Sequence, residues 1–431
     1  MTKAKHEDAE GDARSPREIA AAMREVEGGL SVTDAARSLG LVKSEYQRLA
    51  AAHAERRKAK LVTQLPLVFH EPDPDAEKAI REDVSAIAAI AEGESLFIGA
   101  DEGAALERLT ARRDAAGRVV GYGGHKRFDL HDFFDFPNGR DEEADVEGLA
   151  IADGFLWVVG SHSLKRKKPK AGDDPEKALE TLTRVVREAN RFLLCRIPLV
   201  AGDHPGAPKL AASGPAVDGS GRTRRAGALR MDKDGSVLSR RLARDPHLGP
   251  FMSIPSKDNG LDVEGMAVSG DRVFLGLRGP VLRGWATILE LRFRAKKKTG
   301  RLKLRRQDDG DLIRRHFLDL DGLGVRSLLI DGEDLVVLAG PTMDLDGPVR
   351  LYRWRGGLNA QDSTVAPRAD VERILDLPFG EGDDHAEGAT LMPLSPGDPI
   401  RLVVAYDTPA HARLVRSGGV LADVFEAPER F

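Results

Sequence analysis

The chain has 431 residues, enough for two or three domains or for one large repeat fold. Its charges nearly balance, 65 Lys and Arg against 69 Asp and Glu, so total charge does not mark it as a polyanion binder. A single cysteine, Cys195, excludes an intramolecular disulfide and a cysteine-held zinc, and no apolar run reaches the roughly 18 residues that span a bilayer.

The charged start MTKAKHEDAEGDAR has no apolar core of signal-peptide length, so the expectation is a cytoplasmic protein with no membrane partner. Residues 1–14 are polar and expected to be disordered. Ser15-Pro16 is a helix start, with the hydroxyl as cap and proline in the first turn. That helix should run to about Glu27 and stop at Gly28-Gly29. Ser31 or Thr33 can cap a second helix through Leu39, and a third should run from about Ser44 to Lys60. The third grows basic through Arg48, Arg56, Arg57, Lys58 and Lys60. Three short helices with Ala36 and Gly40 between them, and Tyr46 and Leu49 on the last, follow the outline of a helix-turn-helix. The segment 1–60 is thus either a DNA-binding module or a helical extension with a solvated basic face, and DNA is a partner only in the first case.

From about residue 61 the pattern changes to short strands. One phrase occurs three times: Asp145-Val146-Glu147-Gly148, Asp262-Val263-Glu264-Gly265 and, more loosely, His385-Ala386-Glu387-Gly388. Each copy opens on a polar residue, turns on a glycine and enters an apolar run. With the glutamate as a ruler, Ser85 and Arg326 fall at the same place in two further stretches. The intervals from Ser85 through Glu147, Glu264 and Arg326 to Glu387 are 62, 117, 62 and 61 residues by subtraction. So regular a pitch marks a repeat architecture.

Each repeat reads as an inner apolar strand, a polar turn, a strongly apolar strand, a third strand with polar alternation and a fourth before the next repeat. Examples are Gly148–Ile151, Phe155–Val159, Ala286–Phe293 and Arg373–Leu377; Phe251–Pro255 is read as another fourth strand. Four short antiparallel strands per unit describe a β-propeller blade. Leu65–His70 resembles a fourth strand with no blade before it, and the last repeat lacks one, so the N-terminal strand should close the ring. The expected fold is an all-β, five-bladed β-propeller over 61–431, with six blades as the alternative because the 117-residue interval is nearly two pitches. An insertion at about 163–250 accounts for that interval: 174–190 reads as an amphipathic helix with Leu179, Leu182, Val185 and Val186 on one face, and 237–248 as another short helix.

Strands one and two run antiparallel, so residues entering the first and leaving the second share one rim around the central channel. Entering are Asp83, Asp145, Glu147, Asp262, Glu264, Arg326, His385 and Glu387; leaving are Asp101, Glu102, Ser161, His162, Arg278, Thr342 and Asp407. Clustered carboxylates repel unless something positive neutralises them. That role falls to Arg278, Arg326 or a divalent cation, with calcium, magnesium or manganese favoured by oxygen ligands. The expected metal ligands are Glu147, Glu264, Glu387, Asp145 and Asp262, and calcium is the expected ion. A metal there would suit a hydrolase of an ester, lactone or phosphoester, with Glu264, Glu387 and His162 as catalytic groups. Arg278, Arg326, Lys165 and Arg166 would bind a small anionic molecule or ester. Equally, Glu147 and Glu264 can accept backbone N–H groups and staple neighbouring blades, which leaves a non-catalytic scaffold for a protein or small anion. The cations 165–168 are either an anion-receiving loop or a solvated one. No Gly-x-Ser-x-Gly elbow, P-loop or dinucleotide fingerprint occurs.

The phrases Gly160-Ser161-His162-Ser163-Leu164-Lys165-Arg166, Asp245-Pro246-His247-Leu248, Lys257-Asp258-Asn259-Gly260-Leu261-Asp262-Val263-Glu264-Gly265 and Leu277-Arg278-Gly279-Pro280-Val281-Leu282-Arg283-Gly284 resemble a bacterial family of unknown function, numbered 3616, over about residues 62–430. That resemblance implies a propeller and no activity. The Glu-Gly entry is also similar to the esterase-like domain attached to some phytases, and more remotely to lactonases of the gluconolactonase type that use calcium or zinc. Both likenesses rest on Glu147, Glu264 and Glu387. The Asn and Asp that the lactonases add have no assigned counterpart here.

Overall fold

The computed structural model describes residues 14–70, 79–202, 204, 206–217, 219–343, 345–416 and 418–427. Of the tail expected to be disordered, 1–13 lie outside the described residues. The chain divides into a unit ending at Lys58 and another beginning at Ala59. Among the described residues no helix is long and apolar enough to cross a membrane.

The first unit is three helices: α1 (Pro16–Glu27), α2 (Val32–Ser38) and α3 (Lys43–Arg57). Ser15 caps α1 in a reciprocal box with Glu18, and Ser31 caps α2 by accepting from Asp34 N–H. These bonds satisfy N–H groups that a helix start leaves open. Ala22, Ala35, Ala36 and Tyr46 form the core, the two alanines of α2 being small enough for its neighbours to approach.

The second unit is a β-propeller arrangement of mainly antiparallel strand groups, in which the first and last groups join into one nine-stranded sheet where Leu67 pairs in parallel with Tyr122. In the first sheet, 84–90, 95–100, 105–113 and 119–129 pair in that order. The second contains 146–152, 155–160, 194–200 and 209–210. The third contains 262–269, 272–279, 285–295 and 313–319, and the fourth 324–331, 334–340, 349–354 and 371–377. The last is 385–392, 401–407, 419–426 and then 61–68, drawn from the start of the unit. That N-terminal strand pairs antiparallel with Gly419–Glu426, Leu65 opposite Ala422. The first and last strands of this unit are thereby joined by hydrogen bonds.

The strands 84–90, 146–152, 262–269, 324–331 and 385–392 pack each on the next, and 385–392 packs back on 84–90. Apolar cores follow the same cycle. Phe97 and Val158 belong to a core between the first two sheets, Trp157 and Leu275 to the next, Phe274 and Leu335 to the third. Val336 packs with Val404, and Val403 with Ile98, which completes the circuit. Fully burying side chains of this size contributes about 1.5–3 kcal/mol each, so adjacent sheets are held mainly by these layers.

Three expectations change. Phe251–Pro255 is not a strand; Gly249–Ser253 is a 3-10 helix. The interval 163–250 is not wholly an insertion, because Leu194–Val200 is the third strand of the second sheet, paired with Phe155–Val159. Helix α4 spans only Pro175–Thr183, and its apolar side chains are not packed: Leu179 is 68% and Leu182 45% exposed. The helical period of the sequence is real there, but no apolar surface covers it. Helix α5 (Val237–Leu242) is found within the second predicted stretch.

Candidate functional site

Every inner strand carries a break in pairing at the ruler position. Val146 pairs with Gly160 and Gly148 with Val159, so Glu147 is left unmatched between them. Glu264 falls between Val263 and Gly265, Arg326 between Val325 and Ser327, and Ser85 between Val84 and Ala86. Glu387 lies in the gap between Ala386 and Ala389. A bulge adds one residue to one strand and re-aims its side chain. Here four charged ruler residues, Glu147, Glu264, Arg326 and Glu387, line one cavity of about 610 Å³.

The glycine after the ruler is a packing device and not the turn expected from the phrase. A Cβ on Gly148 would lie 2.9 Å from Met266 Cβ, and one on Gly265 2.9 Å from Leu328 Cγ. A Cβ on Gly388 would meet Ile87 Cγ2 at 3.3 Å. Each contact is with the following inner strand, two places beyond its own ruler residue. Close approach of strands requires the missing side chain.

The cavity also collects the other residues expected to enter the inner strands, including Asp83, Asp145, Asp262 and His385. From the second strands it takes Asp101, Glu102, Arg278 and Asp407, but not Ser161, His162 or Thr342. Lys165 and Arg166 line it as well. Arg166 is held by Asp258, Nε to Oδ2 2.7 Å, and Lys165 stands 3.8 Å from Glu143.

Within this group the acids have different partners. Arg326 Nη1 contacts Glu264 at 3.1 and 3.2 Å and Glu387 at 2.5 Å, bridging three inner strands. Arg278 Nη1 lies 2.9 Å from Glu264, and its Nη2 contacts Asp262. Asp145 is held by Arg191 at 2.5 Å, and Arg191 also reaches Glu143 and Glu188. Four of the five expected metal ligands, Glu264, Glu387, Asp262 and Asp145, therefore each have an arginine at contact distance.

Glu147 is different. It is 7% exposed, and no hydrogen bond or ion pair to it occurs among the described residues. Burial raises its pKa well above the carboxylate range, and Asp101, Glu264, Asp145 and Glu387 add repulsion. Asp101 is raised likewise by burial and by Asp145, Asp83, Glu387 and Asp407. Its Oδ1 is buried without a hydrogen-bond partner. One oxygen each of Asp101, Asp145 and Glu147 lies within 4.8 Å of the others, close enough for a shared cation. Burial also lifts Asp262 to about 7 despite Arg278, and Glu387 to about 8 despite Arg326.

His162, expected as a catalytic group, stands elsewhere. Its Nδ1 is 3.0 Å from the Gly160 carbonyl, its ring is edge-on to Phe192, and it lines a separate cavity of about 140 Å³. Burial lowers its pKa to about 4, so the imidazole is neutral. A left-handed backbone at His162, φ 56°, turns the side chain away from the rim, a conformation that strand logic does not anticipate.

Two groups of this site carry no ligand or pairing signal in the sequence. Asp101 falls on the rim by its position after the second strand, with nothing in the repeat to mark it as a ligand. Arg191 lies in the interval without a repeat, where nothing in the residue pattern indicates that it returns to Asp145.

Among solved structures, the chain is similar to the β-propeller domain of Cps50 (Swd1) from Myceliophteria thermophila. Identity is 11%, coverage 86% of this chain and 99% of that one, and the TM-score 0.30. It is similar to an exo-1,5-alpha-L-arabinanase from a bovine ruminal metagenomic library at 10% identity, covering 83% and 95%, with a TM-score of 0.33. A putative 6-phosphogluconolactonase from Bacteroides fragilis is similar at 10% identity, covering 79% and 82%, with a TM-score of 0.29. No curated protein matches the chain. Residues 83–423, and with them every ruler position from Ser85 to Glu387, match the family described as Protein of unknown function (DUF3616), and the chain belongs to that family.

Proposed function

We propose that the protein is a five-bladed propeller whose channel mouth holds a divalent cation on Asp101, Asp145 and Glu147 and hydrolyses an ester, lactone or phosphoester. The blade count rests on five groups of strands, the first and last continuous in one nine-stranded sheet, whose first strands pack in one cycle. A sixth blade would need an inner strand between Ala152 and Asp262. Among the described residues there, Leu194–Val200 and Lys209–Leu210 pair as outer strands of the second sheet.

The observation that carries the site is Glu147, a buried carboxylate with no partner, beside Asp101 and within a large cavity. A like-charged buried cluster is expensive unless a cation or protons compensate it. Three hard oxygen donors favour calcium, then magnesium or manganese, over softer metals. Such an ion, when bound, would polarise an ester or phosphoryl oxygen and activate water. The chain's own groups have separate tasks. Arg278 and Arg326, fixed by Asp262, Glu264 and Glu387, stabilise negative charge facing the cavity. Lys165 and Arg166 orient the anionic part of a substrate at the entrance. Glu264 and Glu387 act as staples between inner strands through Arg326, which adopts the staple role for two of the three glutamates.

Thermal melting of purified protein in EDTA, calcium and manganese tests the site, together with elemental analysis and assays on p-nitrophenyl acetate, a γ-lactone and p-nitrophenyl phosphate. The proposal expects a metal-dependent rise in Tm that Glu147→Gln removes, and turnover of one substrate. No bound metal and no shift would overturn it. Metal binding with no turnover would favour the second reading, a non-catalytic scaffold for a small anion.

A further inference from the structure

The third sheet carries a feature that plays no part in the cavity. Strand Trp285–Ala295 pairs with Ile313–Asp319 only through Leu291, and from Arg292 onward it pairs with Leu302–Arg305 as a hairpin. Residues 294–306 read RAKKKTGRLKLRR, eight basic residues and no acid, in a chain whose net charge is -4. Arg294, Lys296, Lys297, Lys298, Arg301 and Lys303 are all exposed.

The hairpin has two faces. Phe293 and Leu302 belong to the core between the second and third sheets, with Ala295 and Leu304 against it. This anchors the ribbon and fixes which side faces out. On the outer side Arg292 is directly opposite Arg305, and Arg294 opposite Lys303. Like charges directly across a strand pair are destabilising. At the inner end the repulsion is relieved, because Asp308 lies 3.2 Å from Arg292 and Asp271 3.0 Å from Arg305. At the outer end no acid pairs with Arg294, Lys303 or the turn cations among the described residues. Lys296 has its pKa lowered by the charges of Arg301 and Lys303. A neighbouring hairpin extends the field: a Cβ built on Gly300 would lie 3.3 Å from Arg225 Cβ, and Arg225 is exposed.

We infer that this hairpin is a docking surface for the phosphate backbone of duplex DNA. Charge complementarity is the argument, since six uncompensated cations on a rigid ribbon gain most from a regular array of phosphates that releases bound counterions. No aromatic side chain is exposed on the hairpin, so contact is with the backbone and carries no sequence preference. A two-stranded ribbon enters the major groove of DNA, whereas the major groove of duplex RNA is too narrow to admit side chains. A membrane surface is the weaker match, because the apolar residues of the hairpin face inward and none is left to insert.

The test uses the full chain and a fluorescein-labelled 30-base-pair duplex DNA of random sequence, read by anisotropy from 50 to 200 mM salt. The expected result is binding at 50 mM that weakens steeply with salt. The variant Lys296→Gln/Lys297→Gln/Lys298→Gln/Arg301→Gln should lose at least about tenfold in affinity, and its log–log salt slope should be shallower by up to about 3.6, each of the four lost phosphate contacts removing about 0.9. A separate variant, Arg48→Gln/Arg56→Gln on α3, should bind as the parent does. Should the fourfold variant fold poorly, Lys297→Gln/Lys298→Gln at the turn should lose affinity about half as steeply. Absence of binding at 50 mM, unchanged affinity in the hairpin variants, or loss confined to the α3 variant would overturn the inference. So would sedimentation with phosphatidylserine vesicles without any DNA binding.

Discussion

Glu147 and Glu264 occupy the same place in the same phrase, each unpaired in a bulge of adjoining inner strands, yet only Glu264 is held by arginine. The difference arises outside the phrase. Arg278 and Arg326 both reach Glu264, while the acids Asp101 and Asp145 surround Glu147. One position thus serves two ends, a staple in one sheet and an open carboxylate in the next.

Replacing the open carboxylate should stabilise the metal-free protein. Glu147→Gln removes a carboxyl group that burial and four neighbouring acids force to keep a proton the unfolded chain releases at neutral pH. The expected gain is about 1–3 kcal/mol in urea denaturation with EDTA present. A loss of that size instead would show that the carboxylate has a stabilising partner.

Removing the shared arginine should do the reverse. Among the described residues, Arg326→Leu leaves Glu264 with Arg278 alone and Glu387 with no cation at hydrogen-bond distance. Breaking a buried pair from one side costs about 3–5 kcal/mol. Adding Glu387→Gln to the same chain should restore part of it, because the stranded charge is gone. Urea midpoints of the single and double variants at pH 8 measure both effects, and equal midpoints would count against the staple.

Protonation makes a third prediction, whose sign follows from the raised pKa values. Asp262 at about 7 and Glu387 at about 8 keep protons that the unfolded chain has already released above the ordinary carboxylate range. Their contribution to stability is complete at low pH and is lost as pH rises through 7 and 8. In EDTA, Tm should therefore fall between pH 5 and 8.5. Calcium should raise Tm strongly at pH 8 and little at pH 5, where burial and the neighbouring acids keep Asp101 and Glu147 protonated. A Tm that rises across this range in EDTA would contradict the assignment.

The glycine of the phrase can be tested by size alone. Gly265→Val would press a side chain against Leu328 Cγ, 2.9 Å from the new Cβ, and against Val325. Overpacking of this kind costs about 1–3 kcal/mol. Gly117→Asn, at an open turn with φ +80° and nothing within 4 Å, should change stability by less than about 1 kcal/mol. Equal effects from the two substitutions would mean that the inner strands have room to separate.

The repeat was legible in the sequence because each sheet must present the same kinds of residue at the same place. Pitch, strand order, closure by the N-terminal strand and most of the rim could be read from residues 61–431 alone. The exceptions have local causes. Leu179 and Leu182 keep helical spacing without a surface to cover them, and the left-handed backbone at His162 directs its ring into another cavity. Residue spacing is enough to make Glu147, Glu264, Arg326 and Glu387 equivalent. What each one meets depends on folding, since the partners Arg191, Arg278 and Asp101 arrive from different connections. Burial then sets the consequence: Glu264 and Glu387 lie against arginine, while Glu147 lies among other acids and its pKa rises.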